Sequence, residues 1–333
     1  DALAYLKIRK DELYEAKYLL ENLFKHANPT PWSFYNYALT LDRLGFSQVA
    51  IPYALEAETS LGKQKEILHL TGELFRKVGE YDKAEIYLSE AVRQVPEDFQ
   101  ILKSLAFLRM QEERLLDADA LFQRCLKINQ NDNEILEGYA DLCMKRGDIL
   151  NAELFYRKAN EIKETPSVLR KLGLLLADRN KLKEAFEILN KALLYEPENP
   201  VILIRLGDIL VADRKDDEAR KFYETALLYS KDNYLLHRNY AELLFRNGEY
   251  EIAKKHFQLA LELNPDDYLA KAGLGLLYAK ENKFEEAKNI LVPLAEIKSD
   301  LFSVNQQLMD IFIKEGDFKK AEKYLKRCIL AQP

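Results

Sequence analysis

The chain has 333 residues, 48% hydrophobic and 31% charged, which supplies both apolar surface for burial and charge for solvated helices and excludes a disordered tail. Its net charge of -6 comes from 55 acidic and 49 basic residues interspersed along the chain, so there is no strong basic field for a phosphate backbone and nucleic acid is not an expected partner. Apolar runs are short: LGLLLA at 172–177 stops at Asp178, far below a bilayer span, and no direct membrane insertion is expected.

Along the chain, alanine recurs at Ala16, Ala50, Ala84, Ala118, Ala152, Ala185, Ala219, Ala253, Ala287 and Ala321, in steps of 34 residues with one step of 33 after Ala152. The period divides the chain into a partial repeat at 1–30 and repeats at 31–64, 65–98, 99–132, 133–165, 166–199, 200–233, 234–267, 268–301 and 302–333, a single array over 1–333. Asp1 falls at about the fifth position of a repeat and Pro333 at about the thirty-second, so both ends read as cut from something longer.

Each period predicts helix, turn, helix, turn. Numbered 1 to 34 from Lys65, Leu68, Gly72 and Phe75 share one helical face and are followed by Gly79; Tyr81, Ala84, Leu88 and Ala91 share a second, followed by Pro96. Position 8 holds Ala38, Gly72, Ala106, Ala140, Gly173, Gly207, Ala241 and Gly275 before Met309 departs from the pattern, and position 20 is alanine throughout. Small residues at both points let facing helices approach closely, with larger residues at position 24, among them Phe122, Tyr156, Tyr223 and Phe257, filling the space beside them. Position 15 calls for a left-handed backbone, met by Gly45, Gly79, Gly147, Asn180, Gly248, Asn282 and Gly316, with Glu113 and Arg214 as exceptions. Pro31, Pro166 and Pro200 open first helices and Pro96, Pro197 and Pro265 close second ones, whereas Pro293 falls inside a second helix and predicts a kink or looser packing.

This pattern resembles the tetratricopeptide repeat family, with Phe34, Leu68, Leu102, Leu136 and Leu203 where the family has tryptophan at position 4. The resemblance covers the whole chain. It implies an all-α fold, a right-handed α-solenoid superhelix of tandem helix-turn-helix repeats, with first helices lining a concave groove and second helices forming the convex back.

Catalytic constellations are missing. His26, His69, His237 and His256 are scattered, with no HExxH, no CxxC and no glycine-rich phosphate loop, so the expected reading is no catalytic residue, no metal and no cofactor, with solvated or interhelical histidines. Cys125 and Cys328 at position 27 and Cys143 at position 11 read as small buried hydrophobes, and three thiols without a disulfide framework lean towards a reducing, cytoplasmic compartment.

By the resemblance, positions 2, 5, 6, 9, 12 and 13 of each first helix face the groove. Phe107, Met110 and Met144 then stand on the groove wall, as an adaptable apolar anchor for a peptide or partner helix or as cover for the seam between neighbouring first helices. Arg170, Lys171, Arg205, Arg238, Asn239 and Arg246 form a stripe able to grip carboxylates, opposed by Asp178, Asp208 and Glu242, which would pair with it internally. Trp32 is expected to pack beneath the partial repeat, while Tyr35 either binds or packs. Two family subtypes fail residue by residue. The two-carboxylate clamp of chaperone-binding members needs asparagines where Glu242 and Gly273 stand, and the asparagine ladder of members fused to sugar transferases has only Asn36 and Asn239, with Gln307 as a near substitute. The expected function is a non-catalytic protein-protein interaction scaffold binding a peptide segment or helix in its groove. The alternatives are a targeting or substrate-recruiting arm of an enzyme whose catalytic domain lies elsewhere, or a self-associating structural component.

Overall fold

A computed structural model describes residues 2–26 and 28–331; Asp1, Ala27, Gln332 and Pro333, which the predicted repeats 1–30 and 302–333 include, lie outside the described residues. Among the described residues there are twenty α-helices and no strand. The first helices of successive repeats are α1 (Ala2–Arg9), α3 (Pro31–Arg43), α5 (Lys65–Lys77), α7 (Phe99–Gln111), α9 (Asn133–Lys145), α11 (Pro166–Asp178), α13 (Pro200–Ala212), α15 (Tyr234–Arg246), α17 (Tyr268–Lys280) and α19 (Phe302–Lys314). The second helices are α2 (Leu13–His26), α4 (Ser47–Leu61), α6 (Tyr81–Gln94), α8 (Leu115–Ile128), α10 (Ile149–Ile162), α12 (Leu182–Tyr195), α14 (Asp216–Tyr229), α16 (Tyr250–Leu263), α18 (Phe284–Ile297) and α20 (Phe318–Ala331).

The chain divides into two compact units, residues 1–168 and 169–333. Within each unit a first helix packs on the second helix of its own repeat, and that second helix packs on the next first helix, so each unit is a stretch of α-solenoid. The spacing of small residues explains the pairing. The position-20 alanines from Ala50 to Ala287 are fully buried. A Cβ added to Gly72 would stand 2.7 Å from Leu88 Cγ, and one on Gly207 would stand 2.6 Å from the Tyr223 ring, so at position 8 these glycines make room for the large residue at position 24 of the same repeat. Met309 is tolerated at position 8 where Leu325, at position 24, is 45% exposed and leaves that space less crowded.

The first turn of each repeat is closed by a Schellman motif. The amide of Gly79 bonds to Arg76 O at 3.2 Å and that of Glu80 reaches back to Phe75 O at 2.9 Å, and the same six-residue bond runs from Arg114 to Arg109 and from Lys215 to Leu210, both at 2.9 Å. That geometry forces position 15 into the left-handed region whatever its side chain: Glu113 sits at φ 58° and Arg214 at φ 59°, beside Asn180 at 59° and Gly79 at 84°. Asp11, at φ 62°, holds the same position in the leading partial repeat. Glu113→Gly and Arg214→Gly are therefore each expected to stabilise the protein by about 0.4–1 kcal/mol, read as a raised urea midpoint. The ion pair that Glu113 accepts from Lys145 is solvent-exposed and offsets little of that gain. A lowered midpoint in both variants would contradict the assignment.

First helices start at side-chain caps. Thr30 and Ser33 form a capping box, Asp98 Oδ1 accepts from Gln100 N and Ile101 N, and Asp132, Asn199, Asn233 and Asp267 do the same work on later repeats.

Curvature within each unit follows from which helices touch. Successive first helices meet, α5 with α7 and α7 with α9 in one unit, α13 with α15 and α15 with α17 in the other; within each unit, among the described residues, no two successive second helices make a comparable contact. Their splaying opens clefts on the second-helix side, of about 440 Å³ beside Phe155, 640 Å³ beside Tyr87 and 780 Å³ beside Phe222. A cleft of about 570 Å³ at Pro293 is one of this series, so looser packing there is not peculiar to the proline, and α18 runs through it unbroken. Pro52 sits inside α4 in the same manner.

Candidate partner-binding face

The predicted groove positions fall on first helices, and much of what they carry links one repeat to the next. Lys77 pairs with Asp42 at 2.7 Å, Lys103 with Glu134 at 2.7 Å, Arg205 with Asp178 at 2.9 Å and Arg246 with Asp216 at 3.1 Å. Such pairs are partly exposed and individually weak; in register they fix the spacing of the wall more than they stabilise it.

In the 1–168 unit, Phe107 fills the seam between first helices. Its ring meets Phe122 edge-on with centroids 5.3 Å apart, the Arg76 guanidinium lies 5.9 Å above it, and a Cβ on Gly138 would collide with it at 2.6 Å. Met110 and Met144, at position 12 of adjacent repeats, remain half-buried. Beside them is a polar network that the sequence reading did not assemble. Ser104 Oγ donates to Glu73 Oε1 at 2.8 Å and so accepts from His69 Nε2 at 2.9 Å, while Arg76 Nε donates to Glu73 Oε2 at 2.7 Å and its Nη1 reaches Gln111 at 3.1 Å. Burial holds the His69 imidazole below its ordinary pKa and keeps it neutral; burial also opposes ionisation of Glu73, but Arg76 and Ser104 outweigh it and keep that carboxyl below the usual range. The signal was a spacing of 35, one repeat plus one residue, shared by His69 and Ser104, Arg76 and Gln111, and Asp42 and Lys77.

Tyr35 is half-buried, and burial together with the nearby Glu66 charge pushes its phenol up to about 12. Trp32 is 40% exposed and meets Tyr35 of its own helix edge-on at 5.4 Å, because positions 2 and 5 share a helical face.

In the 169–333 unit the basic stripe is largely consumed internally. Arg170 pairs with Glu196 at 3.3 Å, Arg205 with Asp178, and Arg246 with Asp216; Arg238 pairs with the buried Asp267 at 3.3 Å and donates to Asn239 Oδ1 at 3.0 Å. Lys171 is half-buried and engaged. Asn239 Nδ2 and the Tyr223 hydroxyl both donate to Asp208, at 2.8 and 2.7 Å, and burial raises the Asp208 carboxyl pKa. The same phenol-to-carboxylate bond joins Tyr156 to Asp141 in the other unit, so tyrosine at position 24 accompanies aspartate at position 9 in both.

His237 and His256 share a repeat, and their rings meet with Nδ1 atoms 2.8 Å apart, a contact concealed by their separation of 19 residues. His237 Nε2 donates to Lys231 O at 2.8 Å, leaving its Nδ1 as the acceptor for the His256 Nδ1 proton. Burial and then the neighbouring imidazole lower His256 to about 4. A base depressed in the folded state contributes stability that is complete above the unfolded value near 6.5 and is lost as pH falls towards 4. The melting temperature is expected to fall between pH 6.5 and 4.5, and to fall less in His256→Gln; equal pH profiles would refute the coupling.

Cys125, Cys143 and Cys328 are buried and free, and burial pushes the first two thiols up to about 11, so all three behave as hydrophobes. Among the described residues no helix is long and apolar enough to cross a membrane.

Residues 176–238 and 244–301 match a family model described as a tetratricopeptide repeat, and residues 304–333 match a second model of the same description. Among curated proteins none matches. A solved structure from the functional characterisation of pilF of Pseudomonas aeruginosa is similar at TM-score 0.56 and 18% identity, over 62% of this chain and 95% of that one, a likeness of fold. YrrB, described as a tetratricopeptide repeat protein with an unusual peptide-binding site, is similar at TM-score 0.46 and 22% identity, over 55% of this chain and 95% of its own.

Proposed function

This chain is a tetratricopeptide repeat protein, and from that premise we propose that it is a non-catalytic scaffold whose first-helix face takes an extended segment or a helix of another protein. The observation that carries the reading is the state of the wall in the 1–168 unit. Its charges are tied from repeat to repeat, while two thioethers on adjacent first helices, Met110 and Met144, stay half-buried on it and Phe107 fills the seam between first helices. A wall already ordered leaves the entropic cost of association mainly to the guest, and thioethers adapt to the shape of an apolar anchor. The internally paired arginines of the 169–333 unit hold the first-helix face of their own unit in register, with acidic guests excluded there unless they displace Asp178, Asp216 or Asp267.

Peptides selected from a random displayed library against the wild-type chain test this. They are expected to bind Met110→Ala/Met144→Ala about tenfold more weakly, two partly buried side chains being worth about 1.5 kcal/mol together, with the unfolding midpoint little changed. Equal affinity for the two proteins would remove the methionine wall from the binding site.

A further inference from the structure

At one end of the 1–168 unit, the first-helix face carries aromatic rings that the chain's own cations leave uncovered. We propose that Tyr5, Trp32, Tyr35 and Glu66 form a seat for a cationic side chain, lysine or arginine, of the guest segment; this deepens the binding function proposed above and rests on it. The four residues come from three consecutive first helices that touch in order, α1 with α3 and α3 with α5. Trp32 and Tyr35 stand edge to face at 5.4 Å, with Trp32 40% and Tyr5 47% exposed. The phenol of Tyr35 responds to the Glu66 charge and, more weakly, to Tyr5, in keeping with their places on the two first helices that flank α3.

Two observations select a cation over other occupants. The first is which rings are already covered. Arg76 lies over Phe107, Lys83 over Phe75 at 5.1 Å and Lys254 over Tyr278 at 4.9 Å, whereas among the described residues no lysine or arginine covers Trp32, Tyr35 or Tyr5. Trp32 is the sole indole of the chain, and indole is the strongest acceptor of a cation among the side-chain rings. The second is Glu66. It is exposed, with no hydrogen bond or ion pair among the described residues, so its charge is available to complement a guest. An anionic guest would be repelled by it, and an apolar one would desolvate it without compensation. Arg43 is the opposing charge. It acts on Tyr35 less than Glu66 does, and its Nη1 is turned to Ile8 O at 3.2 Å.

The single tryptophan reports on the seat directly. A short glycine-serine peptide with one central arginine, or one lysine, titrated against the intact chain is expected to give a saturable change in indole emission and in the Nε1–H resonance, whereas the same peptide with glutamine gives none. Affinity should fall with added salt and be about fivefold weaker in Glu66→Gln. Equal responses to arginine and glutamine peptides, or a Glu66→Gln variant that binds as wild type does, would overturn the proposal. So would a proline-rich peptide that outcompetes the arginine one. Because the probe does not depend on Met110 or Met144, failure here with a methionine-dependent selection above removes the seat alone, and the converse removes the methionine anchor alone.

Discussion

Gly273→Ala is expected to lower the urea midpoint by the equivalent of about 1–3 kcal/mol, despite alanine's better helix propensity. A Cβ there would stand 2.3 Å from Phe257 Cζ, and Phe257 is itself fully buried on α16, so its ring cannot withdraw towards solvent. Phe257→Ala should cost more, about 3–5 kcal/mol, because it empties the space between two repeats. The two sites are coupled by contact, so adding Phe257→Leu to Gly273→Ala should cost less than the sum of the single losses. Repeat arrays unfold by segments, so the measurement is the midpoint and slope by circular dichroism with each variant beside wild type. A Gly273→Ala protein with an unchanged or raised midpoint would show that the ring does have room to move.

Arg109→Ala is expected to cost about 3 kcal/mol. The guanidinium is buried and holds two carboxylates, Glu112 at 2.8 Å at the C-cap of its own helix and Glu85 on α6, and Glu85 also accepts from Ser89 at 2.8 Å. Removing the cation leaves both acids in poorly solvated surroundings, with the more distant Arg114, 3.7 Å from Glu112, as a weaker offset. Glu85 is already opposed by burial and is held below its ordinary pKa by Arg109 and Ser89, with a weaker contribution from Arg114, so its contribution is present above the usual carboxylate range and is lost as pH falls through the lowered value. The variant should therefore recover part of its deficit on acidification, when Glu85 protonates. Glu85→Gln/Arg109→Gln should lie closer to wild type than Arg109→Ala does. If the double change is as damaging as the single one, the cost lies in lost packing and not in stranded charge.

These two sites show where legibility in the sequence ended. Gly273 read only as an absent asparagine of a clamp, and nothing in one repeat says that its missing Cβ is occupied by a ring from the preceding repeat. The comparison that could have shown it is across repeats: glycine stands at position 6 after phenylalanine at position 24 in Gly138 after Phe122 and Gly273 after Phe257, whereas aspartate at position 9 accompanies tyrosine in Tyr156 and Tyr223. Of the two carboxylates at Arg109 only Glu112, three residues on, is local; Glu85 on α6 is 24 residues away. The His237 and His256 contact was missed for the same reason.

The sequence by itself determined the helices, their pairing and their turns, because each is set within one period: alanine at position 20, small residues at position 8 and a left-handed residue at position 15 act on neighbours only a few tens of residues apart. Even Glu113 and Arg214 obeyed, since the Schellman hydrogen bonds fix that backbone irrespective of side chain. Only the tertiary structure decided which face residues are spent and which stay open. Whether an arginine is free to grip a guest depends on carboxylates brought to it by an adjacent repeat, as Asp178 is to Arg205 and Asp267 to Arg238, and whether an aromatic is open depends on which cations fail to cover it, as none among the described residues covers Trp32. Those are distances across helices, which a repeat period constrains in register but does not fill with particular charges.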